Sequence, residues 1–273
     1  MSDTLRLAAV IGFPVAHSLS PRLHGHWLKR YGIKGHYVPL QVHPDDFAET
    51  LHLMPRIGFV GTNVTIPNKH AALALADTAT PLARRIGAAN TLTFTDQGVT
   101  ADNTDAYGFS QNILASHPDW VPRTVAMIGA GGASRAVITA LLDLGATEIR
   151  LSNRTAERAR ELADEFGTAL ACVPWADRSA MLAGCDTLVN GSALGMTGNP
   201  PLDLDLTDLP TEAIVNDLVY APLETQLLAR ARARGNRCVD GLGMLLHQAA
   251  PGFERWFGVT PQVDDDLRAA VLA

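Results

Sequence analysis

The sequence predicts an α/β protein with two α/β domains. Short apolar runs rich in β-forming residues alternate with helix-like segments along the chain, a pattern typical of strands joined by helical crossovers. The 273 residues are 47% apolar and 18% charged, which supplies enough apolar material for two modest cores. Residues 117–122, rich in turn formers, mark a break between two alternating series.

The first series starts with a strand and continues in strand and helix pairs. Its predicted strands cover residues 5–11, 36–42 and 61–65. Its predicted helices cover residues 21–31, 44–54 and 105–115. Pro21 and Pro44 suit first helical turns, and Ser20 is a natural N-cap for the first of these helices. Because helices separate the strands, we expect right-handed crossovers and a largely parallel sheet.

The second series repeats this alternation and ends in two helical stretches. Its predicted strands cover residues 124–128, 147–152, 186–190, 213–217 and 236–239. Its predicted helices cover residues 133–144, 242–256 and 261–272. The series therefore has the organisation of a second α/β domain.

A glycine-rich turn joins the first strand and helix of this second series. Its residues are Gly129, Ala130, Gly131, Gly132 and Ala133. Backbone N–H groups at a helix N-terminus favour a pyrophosphate, and glycine lets the backbone approach it closely. Ser134 stands where the usual fingerprint has a third glycine. The alternative is a tight turn that serves only the geometry of the chain.

The end of the next strand indicates which dinucleotide would bind. An NAD enzyme usually places an acidic residue there to hold the ribose 2′-hydroxyl. This chain instead has Asn153, Arg154 and Thr155, followed one helical turn later by Arg158. These side chains could clamp a 2′-phosphate, which predicts NADP as the cofactor. Solvated surface arginines are the alternative interpretation.

Composition limits the classes of partner. A formal net charge of −6 argues against a general nucleic-acid or anionic-membrane binder. The spacing of Cys172, Cys185 and Cys238 suggests neither a disulfide framework nor a zinc site, so we expect buried thiols and no metal. Residues 1–4 show no start of a targeting segment, and no apolar run approaches a membrane span, so we expect a cytoplasmic protein.

Polar residues follow several strands of the first series. Ser18 and Ser20 lie just beyond the first strand, where open α/β sheets bind ligands, and their hydroxyls could hold a carboxylate. Alternatively, Ser20 only caps its helix and Ser18 only shapes the turn. Asn90 offers an amide at the start of another predicted strand.

Lys69 is unusual in a chain with only three lysines. It follows a strand-end loop, and lysine, unlike arginine, can lose its proton when desolvated and so act as a base. An exposed surface lysine is the default alternative. Asp105 stands at the start of a predicted helix, so it is either an N-cap or a carboxylate that faces Lys69.

Seven ordered segments spanning nearly the full chain together resemble the shikimate dehydrogenase family. They are residues 17–21, 63–67 with Lys69, 89–91, 103–105, 129–133, 153–155, and 240–244 with Gln248. The resemblance implies a substrate-binding and catalytic domain of residues 1–104, completed by residues 241–273, and a Rossmann-like NADP-binding domain of residues 105–240. It also implies reversible, NADPH-dependent reduction of 3-dehydroshikimate to shikimate, on the route to chorismate and the aromatic amino acids.

The family's functional residues carry over onto matching positions of this sequence. Lys69 and Asp105 resemble the catalytic pair. The implied substrate contacts are Ser18, Ser20, Thr65, Asn90, Tyr220 and Gln248. The glycine-rich turn and residues Asn153 to Arg158 match the dinucleotide site, and Leu218, Gly241 and Met244 match positions near the nicotinamide. Residues 190–196 depart from the family's pattern, which bears on cofactor affinity more than on reaction type.

Three alternatives stay open beside this interpretation. One is a quinate/shikimate dehydrogenase with relaxed cofactor use, although the paired arginines favour NADP. Another is a non-catalytic NADP-binding sensor, which would not need Lys69 and Asp105. A folate or glutamyl-tRNA oxidoreductase is disfavoured by the serine pair and by residues 103–105. The expected partner is a small-molecule substrate, without nucleic acid or membrane, and a homodimer is one option for the oligomeric state.

Overall fold

The computed structural model describes residues 5–273, which form two α/β units. One unit comprises the chain up to Gly108 together with Leu245–Ala273, and the other comprises Phe109–Met244. The predicted α/β class is confirmed. The expectation about a targeting segment concerns residues 1–4, which lie outside the described residues.

Strands and helices alternate in both units. The strands are β1 (Arg6–Gly12), β2 (Gly35–Gln41), β3 (Phe59–Val64), β4 (Thr78–Ala79), β5 (Thr91–Thr95), β6 (Gly98–Asp102), β7 (Thr124–Ile128), β8 (Glu148–Ser152), β9 (Leu170–Cys172), β10 (Thr187–Asn190), β11 (Ile214–Asp217) and β12 (Arg237–Val239). The helices are α1 (Ser20–Arg30), α2 (Phe47–Leu53), α3 (Lys69–Leu75), α4 (Pro81–Ile86), α5 (Asp105–Ser116), α6 (Ser134–Asp143), α7 (Ala156–Phe166), α8 (Gln226–Ala233), α9 (Leu242–Phe257) and α10 (Asp265–Leu272).

The sheet of the first unit has the order β2-β1-β3-β5-β6-β4. β1 pairs in parallel with β2 and β3, whereas β5 pairs antiparallel with both β3 and β6. The strand predicted to start near Asn90 is β5, and its antiparallel pairing, together with strand β6, was not predicted. This pairing places the segment before β5 beside the end of β3, because the two strands run in opposite directions.

Aromatic side chains fill the core on one side of this sheet. Trp27, Phe253 and Trp256 are almost completely buried, and His24 stacks on Tyr37 with ring centroids 3.9 Å apart. Burial lowers the pKa of His24 to about 3, so its ring is neutral at physiological pH. Helix α9, near the C-terminus, thus supplies part of the core of the first unit.

The second unit contains a fully parallel sheet with the order β12-β11-β10-β7-β8-β9. Chain order reverses between β7 and β10, so this is the switch point of a doubly wound sheet. The apolar residues of β7 are completely buried, as expected for a strand covered on both faces. Loops at the carboxyl ends of these strands are therefore candidates for a ligand site.

Three local predictions were wrong. Ser20 is the first residue of α1 and makes no side-chain cap; the preceding residue holds the N-cap position, and Ser18 Oγ accepts a hydrogen bond from Ser20 N. The helix expected from residue 44 starts as a 3₁₀ turn, Pro44–Asp46, before α2. The helix expected from residue 261 begins at Asp265, because Asp264 is extended and caps it through Leu267 N.

The cysteines are all free thiols, but they are not all buried. Cys185 is buried and Cys238 is partly buried, whereas Cys172 is exposed. The expectation for Cys172 was wrong because it ends β9, an edge strand with a neighbour on one side only. Within residues 5–273, no helix combines the length and the apolar character needed to span a bilayer.

We predict that Gly61→Ala destabilises the protein. A Cβ atom at Gly61 would lie 1.9 Å from Trp256 Nε1, which donates a hydrogen bond to Leu92 O. The buried indole would have to move, at an expected cost of about 1–3 kcal/mol in the free energy of unfolding. Urea unfolding measures this change.

Gly25→Ala is the matched control. Gly25 lies inside α1, and a Cβ atom there would meet nothing within 4 Å. The control should therefore be neutral or stabilising, by about 0.5–1 kcal/mol. Equal unfolding midpoints for the two variants would contradict the packing argument.

Candidate active site

The starts of helices α3 and α5 bring Lys69 and Asp105 together. Lys69 Nζ lies 2.5 Å from Asp105 Oδ2, and the two side chains are only 17% and 10% exposed. The side chain of Asn103 accepts a hydrogen bond from Asp105 N and so caps the start of α5. Asp105 is consequently free to use its carboxylate as the partner of Lys69.

Asn90 holds the other oxygen of this carboxylate. Its Nδ2 atom donates to Asp105 Oδ1 at 2.8 Å and to Gln248 Oε1 at 3.2 Å. Its Oδ1 atom accepts from Thr104 N at 2.8 Å and from Thr91 Oγ1 at 2.9 Å. With both ends of its amide fixed, Asn90 is oriented in one way only.

A second chain of buried hydrogen bonds leads from Asn90 to Ser20. Asn63, near the end of β3, donates through Nδ2 to Asn90 O and to Thr91 Oγ1, both at 3.1 Å. Its Oδ1 atom accepts from the Tyr37 hydroxyl at 2.7 Å. Tyr37 also hydrogen-bonds the side chain of Ser20, and burial raises the pKa of Tyr37 well above its usual value. This chain connects the serine segment to the pair of Lys69 and Asp105.

Tyr37, Asn63 and Thr91 were given no role in the sequence analysis. Asn63 carried a usable signal, since an amide inside a predicted buried strand needs hydrogen-bond partners. Thr91 lies directly after Asn90, and its hydroxyl is shared among three polar side chains. An aromatic residue in a strand is normally core, so Tyr37 gave no comparable signal.

Ser18 and Thr65 lie at the carboxyl ends of two neighbouring parallel strands. Ser18 follows β1 and accepts from Ser20 N at 3.3 Å, while Thr65 follows β3 and donates its N–H to Ile11 O at 2.8 Å. A Cβ atom at Gly12 would lie 2.4 Å from Thr65 Cγ2. Glycine at this position therefore allows the two strand-end loops to approach each other.

The first unit thus gathers an ammonium group, a carboxylate, amides and hydroxyls at one edge of its sheet. An ammonium can donate a proton to a developing alkoxide, and a carboxylate can accept a hydrogen bond from a substrate hydroxyl. Tyr220 is the one predicted substrate contact that belongs to the second unit, where it follows β11 half-buried, and burial raises its pKa.

The glycine-rich turn of the second unit follows β7 and precedes α6, as predicted. Gly129 has a φ of 101°, and a Cβ atom there would lie 2.8 Å from Ser192 N, so glycine is required. Gly131 and Gly132 are exposed, whereas Ala130 and Ala133 are half-buried. Ser134 Oγ accepts from Gly131 N and donates to Gly129 O. The serine therefore fixes the turn from inside, a role that the sequence analysis missed.

The end of β8 lies beside this turn. Asn153 Oδ1 accepts from Ala130 N at 3.1 Å, and Asn153 Nδ2 donates to Thr155 O at 2.7 Å. Arg154 and Arg158 are exposed, and in the described part of the chain neither pairs with a carboxylate. A glycine cradle next to two available guanidinium groups fits the pyrophosphate and 2′-phosphate of NADP.

The remaining predicted cofactor residues surround the end of β11. Leu218 directly follows this strand, and a Cβ atom at Gly241 would lie 2.2 Å from Leu218 O. Met244 is buried in the first turn of α9. Asp217, the last residue of β11, is completely buried and accepts hydrogen bonds from three neutral donors, Asn190 Nδ2, Val219 N and Thr225 Oγ1. Burial raises the pKa of Asp217 to about 6.

Within residues 5–273, no group of three or more histidine, cysteine or acidic side chains is arranged to hold a metal ion.

Comparison with protein families finds three matches along the chain. Residues 10–92 match the shikimate dehydrogenase substrate binding domain, and residues 112–195 match shikimate / quinate 5-dehydrogenase. Residues 241–271 match the shikimate 5′-dehydrogenase C-terminal domain.

Curated relatives are similar over the whole length. Shikimate dehydrogenase (NADP(+)) of Paracoccus denitrificans is 59% identical over 270 residues, which is 98% of this chain and 96% of the relative. The protein of the same name from Paramagnetospirillum magneticum is 56% identical over 276 residues and is covered completely, as is this chain.

Solved structures share the fold. Shikimate 5-dehydrogenase from Thermus thermophilus, in complex with NADP(H) and shikimate, has a TM-score of 0.87 and 37% identity, over 98% of this chain and 99% of that chain. Quinate dehydrogenase from Corynebacterium glutamicum, in complex with NAD, has a TM-score of 0.92 and 30% identity over the same shares of the two chains. The fold alone therefore does not separate the two substrates or the two dinucleotides.

We predict that Asp217→Asn changes the pH dependence of stability. The pKa of Asp217 is about 6 in the folded protein and about 3.8 when unfolded, so its favourable contribution is present below about pH 4 and is lost as pH rises through about 6. The free energy of unfolding of the wild type should fall relative to the variant by about 1 kcal/mol between about pH 5 and pH 7.5. Urea unfolding across this range measures the difference, and parallel pH profiles would contradict it.

Proposed function

The chain belongs to the shikimate dehydrogenase family, and on this premise we propose that Lys69 and Asp105 are its catalytic pair. The protein is an NADP-dependent oxidoreductase that interconverts 3-dehydroshikimate and shikimate, a reaction that acts on a CH–OH group. The observation that carries the residue assignment is the 2.5 Å contact between Lys69 Nζ and Asp105 Oδ2, set within the buried amide and hydroxyl network.

Lys69 acts on the reacting oxygen as a proton donor or acceptor. NADP(H), when bound, supplies the hydride for reduction or takes it up in oxidation. In the reducing direction, the ammonium of Lys69 donates its proton to the oxygen of the former carbonyl, and the neutral amine then regains a proton from solvent. In the oxidising direction, the neutral amine takes the hydroxyl proton. Positioning such a group typically contributes about 10²–10⁴-fold to the rate.

Asp105 orients this proton-transfer group. Its two carboxylate oxygens are engaged by different partners, Oδ2 by Lys69 and Oδ1 by Asn90. A carboxylate oxygen can accept a further hydrogen bond, so Asp105 can also bind the reacting or neighbouring hydroxyl of the substrate. The Lys69 ammonium and the substrate hydroxyl are then held by the same carboxyl group.

The other polar residues are suited to the remaining groups of the substrate. The hydroxyls of Ser18 and Ser20 donate to the ring carboxylate, since a carboxylate is an acceptor only. Thr65, Asn90 and Gln248 offer donors and acceptors to the ring hydroxyls, and Tyr220, which the family resemblance implies, offers a phenolic hydroxyl. We propose these residues as the substrate contacts.

The second unit holds the cofactor. We propose that residues 129–133 bind the pyrophosphate, and that Asn153, Arg154, Thr155 and Arg158 bind the adenosine ribose and its 2′-phosphate. Leu218, Gly241 and Met244 contribute to the nicotinamide side.

We extend this proposal to the cellular compartment and the oligomeric state. A cytoplasmic location is supported by the three free thiols, one of them exposed, which suit a reducing compartment. A homodimer remains a prediction from the sequence, and sedimentation at several protein concentrations would test it.

We predict that Lys69→Ala lowers kcat for shikimate oxidation by about 10²–10⁴-fold, because the proton-transfer group is lost. The variant should still bind NADP⁺, since Lys69 lies in the first unit. Lys29→Ala, which removes an exposed lysine at the end of α1, is the matched control and should leave the rate unchanged. A folded Lys69→Ala protein with normal turnover would refute the assignment.

We predict that oxidation is fastest with shikimate and NADP⁺ among the four combinations of shikimate or quinate with NADP⁺ or NAD⁺. Initial rates at matched concentrations test substrate and cofactor choice together. Preference for quinate with NAD⁺ would favour the quinate-linked alternative, and no oxidation in any combination would favour a sensor.

The same assay tests the two arginines. Arg154→Ala and Arg158→Ala should raise the KM for NADP⁺ about tenfold or more and leave the KM for NAD⁺ unchanged, because only NADP⁺ carries the 2′-phosphate. Arg160→Ala is the matched control, since Arg160 lies on the same helix but pairs with Glu157. Equal effects on both dinucleotides would contradict a 2′-phosphate clamp.

A further inference from the structure

Two of the segments assigned to the cofactor in the second unit, the glycine-rich turn and the Leu218–Tyr220 segment, are linked to one buried carboxyl group, that of Asp217. The proposed catalytic chemistry does not use Asp217, and the sequence analysis gave it no role. Its carboxylate lies at the end of β11, beside the switch point of the parallel sheet. Two chains of contacts lead from it to the proposed nucleotide-binding segments.

The first chain of contacts leads to the glycine-rich turn. Asn190 Nδ2 donates to Asp217 Oδ1 at 2.9 Å and to Leu194 O at 3.0 Å. The other end of this amide, Oδ1, accepts from Ser192 N at 3.1 Å and from Ser192 Oγ at 2.7 Å. The backbone of Ser192 in turn lies against Gly129, where a Cβ atom would come within 2.8 Å of Ser192 N. Asp217 therefore holds, through Asn190, the Ser192 backbone against which Gly129 of the glycine-rich turn packs.

The second chain of contacts leads to the proposed nicotinamide side. Val219 N donates to Asp217 Oδ1 at 3.1 Å, which sets the course of the chain through Leu218 towards Tyr220. Gly241 N donates to Val219 O at 3.3 Å, and the missing side chain of Gly241 lets its backbone approach Leu218. The segment that includes Met244 begins directly after this contact.

The other carboxylate oxygen serves the scaffold only. Asp217 Oδ2 accepts from Thr225 Oγ1 at 2.6 Å, and the same hydroxyl accepts from Leu228 N as the cap of α8. No cation faces the carboxylate in the described part of the chain. Burying a carboxyl group without a cation costs free energy, so an apolar residue of similar size would serve stability alone at least as well.

We propose that Asp217 is a positioning residue for NADP, holding the glycine-rich turn and the Leu218–Tyr220 segment in their binding geometry. The proposal rests on the assignment of the second unit as the NADP site. A carboxylate suits this task because its two oxygens accept hydrogen bonds from different places. Oδ1 accepts from Asn190 Nδ2 and from Val219 N, and Oδ2 accepts from Thr225 Oγ1 at the start of α8. Ser192 takes part through its hydroxyl, which gives the departure at residues 190–196 a structural role.

The test compares NADP⁺ binding by isothermal titration calorimetry for Asp217→Ala and Thr225→Val. Asp217→Ala removes the acceptor from both loops, so we expect the Kd for NADP⁺ to rise about tenfold or more. Thr225→Val removes a hydrogen bond of the same network on the scaffold side and should leave the Kd within about twofold. Both variants should melt at lower temperature, so a purely structural role would not separate them.

Asp217→Asn supplies the conservative rescue. Its Oδ1 atom can still accept from Asn190 and Val219, so its Kd should stay within about threefold of the wild type. If Asp217→Ala does not fold, Ser192→Ala replaces it, with an expected rise in Kd of about threefold or more, because the variant loses the hydrogen bonds of the Ser192 hydroxyl to Asn190 Oδ1 and Leu194 N.

The outcomes separate this inference from the function on which it rests. A folded Asp217→Ala protein that binds NADP⁺ as the wild type does would overturn the positioning role. If that variant does not fold, an unchanged Kd for Ser192→Ala would overturn it instead. A wild-type protein that binds no NADP⁺ would refute the cofactor assignment itself.

Discussion

The contact between Lys69 and Asp105 is the interaction on which the proposed active site depends. The two residues start different helices, and neither charge could be kept mostly buried without the other. Asn90 fixes the carboxylate from the opposite side, and its own orientation is set by Thr91, Thr104 and Gln248. The reactive pair is thus a product of the whole polar network of the first unit, and a strand, a hairpin and a C-terminal helix all contribute to it.

The second unit has a different requirement. To bind a flexible dinucleotide as proposed, the loops at the carboxyl ends of its strands must be held rigidly. Its parallel sheet places several loops at one edge, but parallel strands alone do not fix how those loops run. Side-chain amides, hydroxyls and one carboxylate do so here, from Ser134, at the start of α6, to Asn190, at the end of β10. On the proposed role of Asp217, these buried polar groups hold the loops of the nucleotide site in their binding geometry.

The sequence predicted the fold class, the order of most elements and the family, because these depend on apolar periodicity and on residue types at strand ends. Contacts made through side chains distant in sequence were less accessible. Ser20 was expected to cap α1, yet its side chain hydrogen-bonds Tyr37 of strand β2. The hairpin of β5 and β6 and the start of α10 were missed because turn and capping chemistry, more than periodicity, defines them. Pairing of Asn63 with Thr91 depends on sheet register, which no local pattern specifies.

The position of Trp256 in the sequence affects the order in which the two units can fold during translation. Its indole fills the space above Gly61 and hydrogen-bonds β5, although it follows both of these segments, and the whole second unit, in the sequence. The second unit is continuous in sequence and can complete its core while translation is still in progress, whereas the first cannot until α9 has emerged. During synthesis, the unit that carries Lys69 and Asp105 is therefore the later of the two to be completed, and a nascent chain truncated just after Met244 would hold a complete second unit and an unfinished first one.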